Sequence, residues 1–275
     1  MATIAEVPLP QPAHPQPILT PLQSKQPSIA IISVPTNDIL PANTLVLDPA
    51  LITQDFDLLR FEAAAFGQLP KASTDGTKND KITYSTSLIS SPYNNPGHYL
   101  LLPTLPLPSL LFAKALTALA PTSPSYATLP YAQALNFPRV INVLRNLVQQ
   151  EGASFAWPET TFHVVVFRSE LKPDIDNEWL YKLDYESHRE ACESGGLLKY
   201  WFGKSDDERK NLATCFWHSR ADAQAGGLGP WHKKARAAGR ELYEHIAFST
   251  WRFVITSGVR EWRVEEVTEH KPLRE

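Results

Sequence analysis

Between Glu159 and Val267 the chain alternates two kinds of segment, and this alternation limits the folds open to it more than any other feature. "ETTFHVVVFRSEL" (159–171) is β-branched and aromatic and predicts a strand, closed by Pro173 and a turn at Asp174–Asp176. "NEWLYKLDYESHREACES" (177–194) predicts a helix. It has an Asn at the cap, early acidic residues, and Leu180, Leu183, Ser187 and Ala191 on one stripe, and Gly195-Gly196 stops it. "LLKYWFG" (197–203) and "LATCFWHS" (212–219) read as two more strands around the charged turn "KSDDERKN". "RADAQAGGLG" (220–229) reads as a flexible handover to a helix opened by Pro230, with Trp231, Ala235, Ala238, Leu242 and Ile246 as its apolar stripe. "STWRFVITSG" (249–258) is a fourth strand, and "REWRVEEV" (260–267) adds a fifth.

The order β-α-β-β-α-β is the ferredoxin-like split unit, an α+β fold. Its sheet carries both helices on one face. The other face, here showing Trp, Tyr and Phe, has to be covered by something: a second copy of the chain, or the rest of this one.

The rest is of different composition. Residues 1–150 carry 8 Lys/Arg and 8 Asp/Glu, against 18 and 21 in the last 125; 20 of the 24 prolines precede residue 150 and all seven tryptophans follow it. This places an organisational boundary at about residue 150. Residues 1–28 are Pro-rich with almost no charge and predict a disordered tail. Residues 29–150 read as an irregular α/β region that packs on the module formed by residues 151–275. Within it, "SIAIISVP" (28–35), "NTLVLDP" (43–49) and "KITYSTSLI" (81–89) predict strands, and "TQDFDLLRFEAAAFGQL" (53–69), "SLLFAKALTALA" (109–120) and "FPRVINVLRNLVQQ" (137–150) predict helices. "HYLLLPTLPLP" is held extended by its prolines.

A net charge of −3 and a pI near 6.3 argue against a nucleic-acid partner. The most basic stretch, "KKARAAGR" (233–240), is followed by Glu241 and Glu244 and reads as a solvated helix face. The longest apolar stretch (98–120) is broken by prolines, so no membrane span is expected. The N-terminus has no basic region followed by an unbroken apolar core, which predicts a cytosolic protein that also reaches the nucleus by diffusion. Cys192 and Cys215 make no disulfide framework; two reduced, buried thiols are expected, with one bridge left open.

"SHREACESGGLLKYWFG" followed by "LATCFWHSRADAQAGGLGPWHKKA" resembles an uncharacterised fungal protein family. Over residues 159–267 the module also resembles the dimeric α/β barrels, which include antibiotic-biosynthesis-monooxygenase-like proteins. That resemblance implies paired sheets in a homodimer and a small apolar or aromatic ligand between sheet and helices. It also implies chemistry without a bound cofactor in some members and haem in others. Fold alone does not give function.

Several groups are candidates for chemistry. Asp184 and His188, four apart on one helix, can meet as a carboxylate and an imidazole base, or form an ordinary surface pair. His218 and His232 end a strand and begin a helix, and with Asp222 they could converge. Their spacing of thirteen residues fits no metal signature, so the alternative is that they tie the handover loop. Gly226, Gly227 and Gly229 precede a helix N-terminus, where free N–H groups favour an anion, or simply make the loop pliable. Tyr200, Trp201, Trp217, Trp231 and Trp251 are either core and interface or the walls of a ligand pocket. No Gly-x-Ser-x-Gly elbow, His-Glu-x-x-His helix or Cys-x-x-Cys pair is present.

Two functions follow. The first is a small-molecule-binding protein of fungal metabolism that oxygenates, cyclises or isomerises an apolar or aromatic substrate without a cofactor; haem or a metal ion stays open. In it, His188 with Asp184, or His232, or His218 would move a proton. The second is a non-catalytic dimeric scaffold whose aromatic face is buried by its own N-terminal half.

Overall fold

The computed structural model describes residues 68–70, 84–93 and 96–267, all within the unit Leu40–Glu275. Three short strands come first: β1 (Gln68–Pro70), β2 (Tyr84–Ile89) and β3 (Tyr99–Leu101), an antiparallel sheet in that order. Then come helices α1 (Leu107–Ala115), α2 (Tyr131–Ala134) and α3 (Phe137–Gln150). Strand β4 (Thr160–Leu171) opens the second half. It is followed by α4 (Asn177–Ser194), β5 (Leu197–Phe202), β6 (Lys210–Trp217), α5 (Arg220–Gly226), α6 (Pro230–Leu242), β7 (Tyr243–Ile255) and β8 (Trp262–Glu266).

The large sheet is antiparallel throughout, in the order β5-β6-β4-β7-β8. Taken without β8, this is the strand order of a ferredoxin-like fold. Strand period 2 divides its residues cleanly. Phe162, Val164 and Val166 of β4 stand beside Leu212 and Phe216 of β6 and Phe253 and Ile255 of β7 on one face. The other face carries His163, Val165 and Phe167, with Trp217, Cys215 and Ala213 directly across from them on β6.

Both faces are covered by different parts of the chain, apart from Ile246 and Phe248 of β7, which stay exposed. Helix α4 packs on the second face through Ala191, against Leu197, Tyr200, Phe202 and Trp217. Helix α6 lies along α4, where Leu183, Ala238 and Leu242 form a small core. The first face is filled by α1 and α3. Phe112 stacks on Phe162 with centroids 4.3 Å apart, and Phe137 meets Phe253 edge-on at 5.2 Å. Phe253 in turn stacks on Trp262 of β8 at 5.5 Å. Two polar side chains admitted to this core are satisfied: the Tyr131 hydroxyl bonds Thr214 at 2.7 Å, and Arg168 donates to the carbonyls of Ala127 and Leu129. A second copy of the chain is therefore not needed to bury this face, and the sheet-on-sheet pairing implied by the barrel resemblance finds it occupied.

Proline punctuates these helices without breaking them. Pro108, Pro138 and Pro230 all fall in first turns, where the missing N–H has no helical partner to lose. The helix expected over 109–120 accordingly starts at Leu107 and ends in a 3₁₀ turn at Leu116–Ala118.

The structure corrects four readings. Asp176, not Asn177, caps α4, accepting from the Trp179 N–H at 2.9 Å. Residues 220–226 are a helix, because Ser219 caps it through the Asp222 N–H and the stretch is rich in alanine. Strand β7 begins at Tyr243, six residues before the expected start, so Ile246 is an exposed strand residue and not part of the α6 stripe. The continuous pairing of Tyr243–Ile255 with β4 outweighs the helical pattern there. The helix expected over 53–69 falls outside the described residues up to Gly67, and its last two residues belong to β1. The tail 1–28 and the strands at 28–35 and 43–49 also lie outside the described residues.

Replacing Phe112 by Ala opens a void between α1 and the sheet. It is expected to cost about 3–5 kcal/mol in urea unfolding, whereas Phe248→Ala, at an exposed strand position, should stay within about 0.5 kcal/mol.

Candidate functional site

Helix α4 carries Asp184 and His188 one turn apart, on the side that faces β5 and the segment after β2. That segment is tied down by the Tyr200 N–H, which donates to the Ser90 carbonyl at 2.8 Å. It brings Tyr93 and His98 onto α4. Asp184 accepts one hydrogen bond from Tyr93 and another, at 2.5 Å, from Tyr200. His188 meets His98 through their Nδ1 atoms at 2.8 Å, with parallel rings. Asp184 therefore grips two phenols, and the partner of His188 is a second imidazole and not the carboxylate one turn away.

Both histidines are fully enclosed, His98 at 0% and His188 at 4% exposure. Burial pushes the His98 imidazole down to about 4, the Glu186 charge opposing and the Arg189 charge assisting. Burial, then His98 and His232, hold His188 well below the ordinary value. Both are neutral at pH 7, so in the Nδ1–Nδ1 bond one ring donates and the other accepts. The Nε2 of His98 is buried with no hydrogen-bond partner. Burial, then Asp184, keeps Tyr200 protonated far above the usual phenol range. Tyr185 flanks His98 at 4.1 Å, and Tyr200 stacks on His188 at 5.3 Å. Cys192 lies 3.7 Å from His188 Nε2, but burial, then Glu193, raises its thiol to about 12, which makes it a poor nucleophile. Burial raises Cys215 likewise, and both cysteines are free.

The other residues singled out in the sequence do not join this cluster. His232 binds Glu190 through Nδ1 at 3.0 Å. The same carboxylate accepts from the Trp231 and His232 backbone N–H groups, so the anion at the α6 N-terminus is the protein's own. Burial opposes ionisation of Glu190, but these bonds outweigh it and hold its carboxyl below the usual value. Gly229 is required beside it, since a Cβ there would lie 2.2 Å from the carboxylate. Gly226 makes room for the Trp217 ring in the same way. His218 bonds the Ser109 hydroxyl of α1 at 2.7 Å, and Asp222 accepts from Ser219. His218, His232 and Asp222 thus have three separate partners. Among the described residues no group of three His, Cys, Asp or Glu side chains gathers for a metal.

The aromatic set divides across the sheet. Tyr200 and Trp217 lie on the α4 side, Trp201 and Trp251 on the α1–α3 side. Trp231 sits outside both, packed on Trp179 and under the Lys234 ammonium. These five do not wall a single pocket. Sequence reasoning missed Tyr93 and His98, which reach the site from ninety residues away, and Lys199. The last is buried on β5 beside Phe216, where burial pulls its ammonium down to about 7.

The strand order defines the class: a ferredoxin-like α+β module with an N-terminal helical layer. The chain belongs to the PB2B2.08-like family, whose profile matches residues 89–266. It is 35% identical over 185 residues to the UPF0643 protein PB2B2.08 of Schizosaccharomyces pombe, which covers 65% of this chain and 83% of that protein. Among solved structures it is similar to Rv0793 from Mycobacterium tuberculosis (20% identity, TM-score 0.29, 32% of this chain and 91% of that one). It is also similar to a candidate antibiotic biosynthesis monooxygenase from Nitrosomonas europaea (13%, TM-score 0.29, 40% and 92%). The fold rests on the strand order itself and not on these likenesses. Among the described residues no helix is long and apolar enough to cross a membrane.

Two outcomes follow. The buried neutral histidines take up protons in the unfolded chain near pH 6.5 but resist them when folded. Their stabilisation is thus complete above that value and is lost as pH falls toward about 4. Urea unfolding across this window should show stability falling by up to about 1.4 kcal/mol per pH unit for each histidine, and His98→Gln should flatten the slope. Gly229→Ala, by displacing Glu190, should lower stability by about 1–3 kcal/mol and free the His232 ring, seen as a shift of its imidazole resonances.

Proposed function

We propose that this protein binds an apolar or aromatic small molecule and moves a proton on it without a resident cofactor, in an isomerisation or cyclisation. The observation behind this reading is the buried Nδ1–Nδ1 histidine pair with the unpartnered Nε2 of His98. A buried polar atom left without a partner costs about 1–3 kcal/mol, and a role in chemistry is one reason a protein keeps such an atom.

In the tautomer where His98 donates through Nδ1, its Nε2 carries a lone pair and acts as the base. Taking a proton from substrate makes His98 an imidazolium, which can hand its Nδ1 proton to His188. Returning a proton at a different substrate atom completes an isomerisation with no net loss or gain. Tyr93 and Tyr200 spend their single O–H groups on Asp184 and hold the walls of the site in place around the histidine pair. The titration directions agree with this role, since both imidazoles are free bases at neutral pH.

A second reading has its own support. Tyr93 and His98 also clamp the segment after β2 onto α4, and the opposite sheet face is filled by α1 and α3. A scaffold would use the same bonds for rigidity alone.

Deuterium incorporation from heavy water into a panel of aromatic ketones and phenols, followed by mass spectrometry, separates the two. Catalysed exchange that falls about 100-fold or more in His98→Gln and His188→Gln supports proton transfer. Exchange no faster than buffer, with both variants merely less stable, favours the scaffold.

A further inference from the structure

A second constellation stands apart from the histidine pair and shares no residue with it. Thr161, His163, His218, Ser219, Arg220 and Arg252 line a half-open cavity of about 380 Å³ where β6 ends, with Phe162 and Val267 completing its wall. The register explains the gathering. His163 on β4 is paired with Trp217 on β6 and with Arg252 on β7. His163 and Arg252 therefore stand side by side on one face of adjacent strands. His218 and Ser219 follow β6 directly, and Arg220 begins α5. The Nδ1 of His218 is bonded to Ser109, which fixes the ring and leaves Nε2 as the nitrogen for a further partner.

The lining holds two guanidiniums, two imidazoles and two hydroxyls, and no carboxylate. Two of the carboxylates near it are engaged. Glu265 accepts from Arg252 at 2.9 Å and from Arg263 at 2.5 Å, and Asp222 accepts from the Ser219 hydroxyl at 2.5 Å. Burial, then the Arg220 charge, lowers the His163 imidazole. The volume falls in the range of small-molecule sites and is far below that of a macromolecular interface.

We propose that this cavity binds a small organic anion, with its oxyanion, carboxylate or phosphate, held by Arg220 and Arg252 and its compact apolar body beside Val267. Guanidinium is suited to this because it offers two parallel N–H donors to a planar or tetrahedral oxyanion. His163 and His218 supply ring nitrogens at the rim. The Glu265 pair keeps Arg252 extended across the sheet, so little ordering is left to the moment of binding.

Calorimetric titration of the full chain with phenyl phosphate, benzoate and neutral phenol tests this. One or both anions should bind, and phenol should not. Affinity should fall as salt is raised. Arg220→Gln and Arg252→Gln should each weaken binding about tenfold or more, while His98→Gln, at the other site, should leave it unchanged. Binding of phenyl phosphate alone or benzoate alone identifies which oxyanion the site takes. On the unaltered protein, the same titration followed by NMR should move the His163 and His218 ring resonances. No binding of either anion, equal binding of phenol, or a titration that leaves those two rings unmoved would overturn the proposal.

Discussion

Strand β4 is apolar on both sides, and everything else in the molecule answers to that. Phe162, Val164 and Val166 point one way; Val165 and Phe167 point the other. A sheet of this kind at the centre of five strands has two faces to remove from water, and one pair of crossover helices supplies cover for one. Helices α1 and α3 supply the other, with Phe112 and Phe137 seated in the middle of it. Residues 107–150 are thus part of the core of the sheet, and Pro108 and Pro138 sit at helix starts where they do no harm.

The stretch that precedes this cover in the chain completes the polar cluster. Tyr93 and His98 leave β2 next to β5 and land on α4, where Asp184 and His188 stand one turn apart. Enclosure keeps both imidazoles neutral and the Tyr200 phenol protonated. What results is a buried set of groups that can pass a proton while carrying no net charge beyond the Asp184 carboxylate. The arginine-lined cavity at the end of β6 has the opposite character: open to solvent and rich in positive charge.

Much of the architecture was readable from local pattern. The bounds of α3 and α4 follow the hydrophobic stripe and the stop signals, and β4 follows its run of β-branched residues. The misreadings have two causes, one distant in the chain and one local. Tyr243–Phe248 has a pattern compatible with continuing α6, yet pairing with β4 decides it as strand. Residues 220–226 look like loop because of the glycines that follow, yet Ser219 supplies a cap. Asp184 and His188 were legible as a pair on one helix face, but spacing along a helix says nothing about what arrives from elsewhere to bond them. Likewise the aromatic residues announced burial without saying on which side of the sheet, because a bulge at Leu197/Lys199 in β5 shifts the alternation.

By itself, then, the sequence determined the β-α-β-β-α-β order of the main elements from β4 onward, the apolar character of both sheet faces and the need for a cover. These depend on periodicities of two and 3.6 residues, which are properties of short stretches. The tertiary structure alone decided which segment provides that cover, that His98 meets His188 and two tyrosines meet Asp184, and that His163, Arg220 and Arg252 share one cavity. Those contacts join residues far apart in the chain, and only the closing of the sheet and its two helical layers fixes their distances.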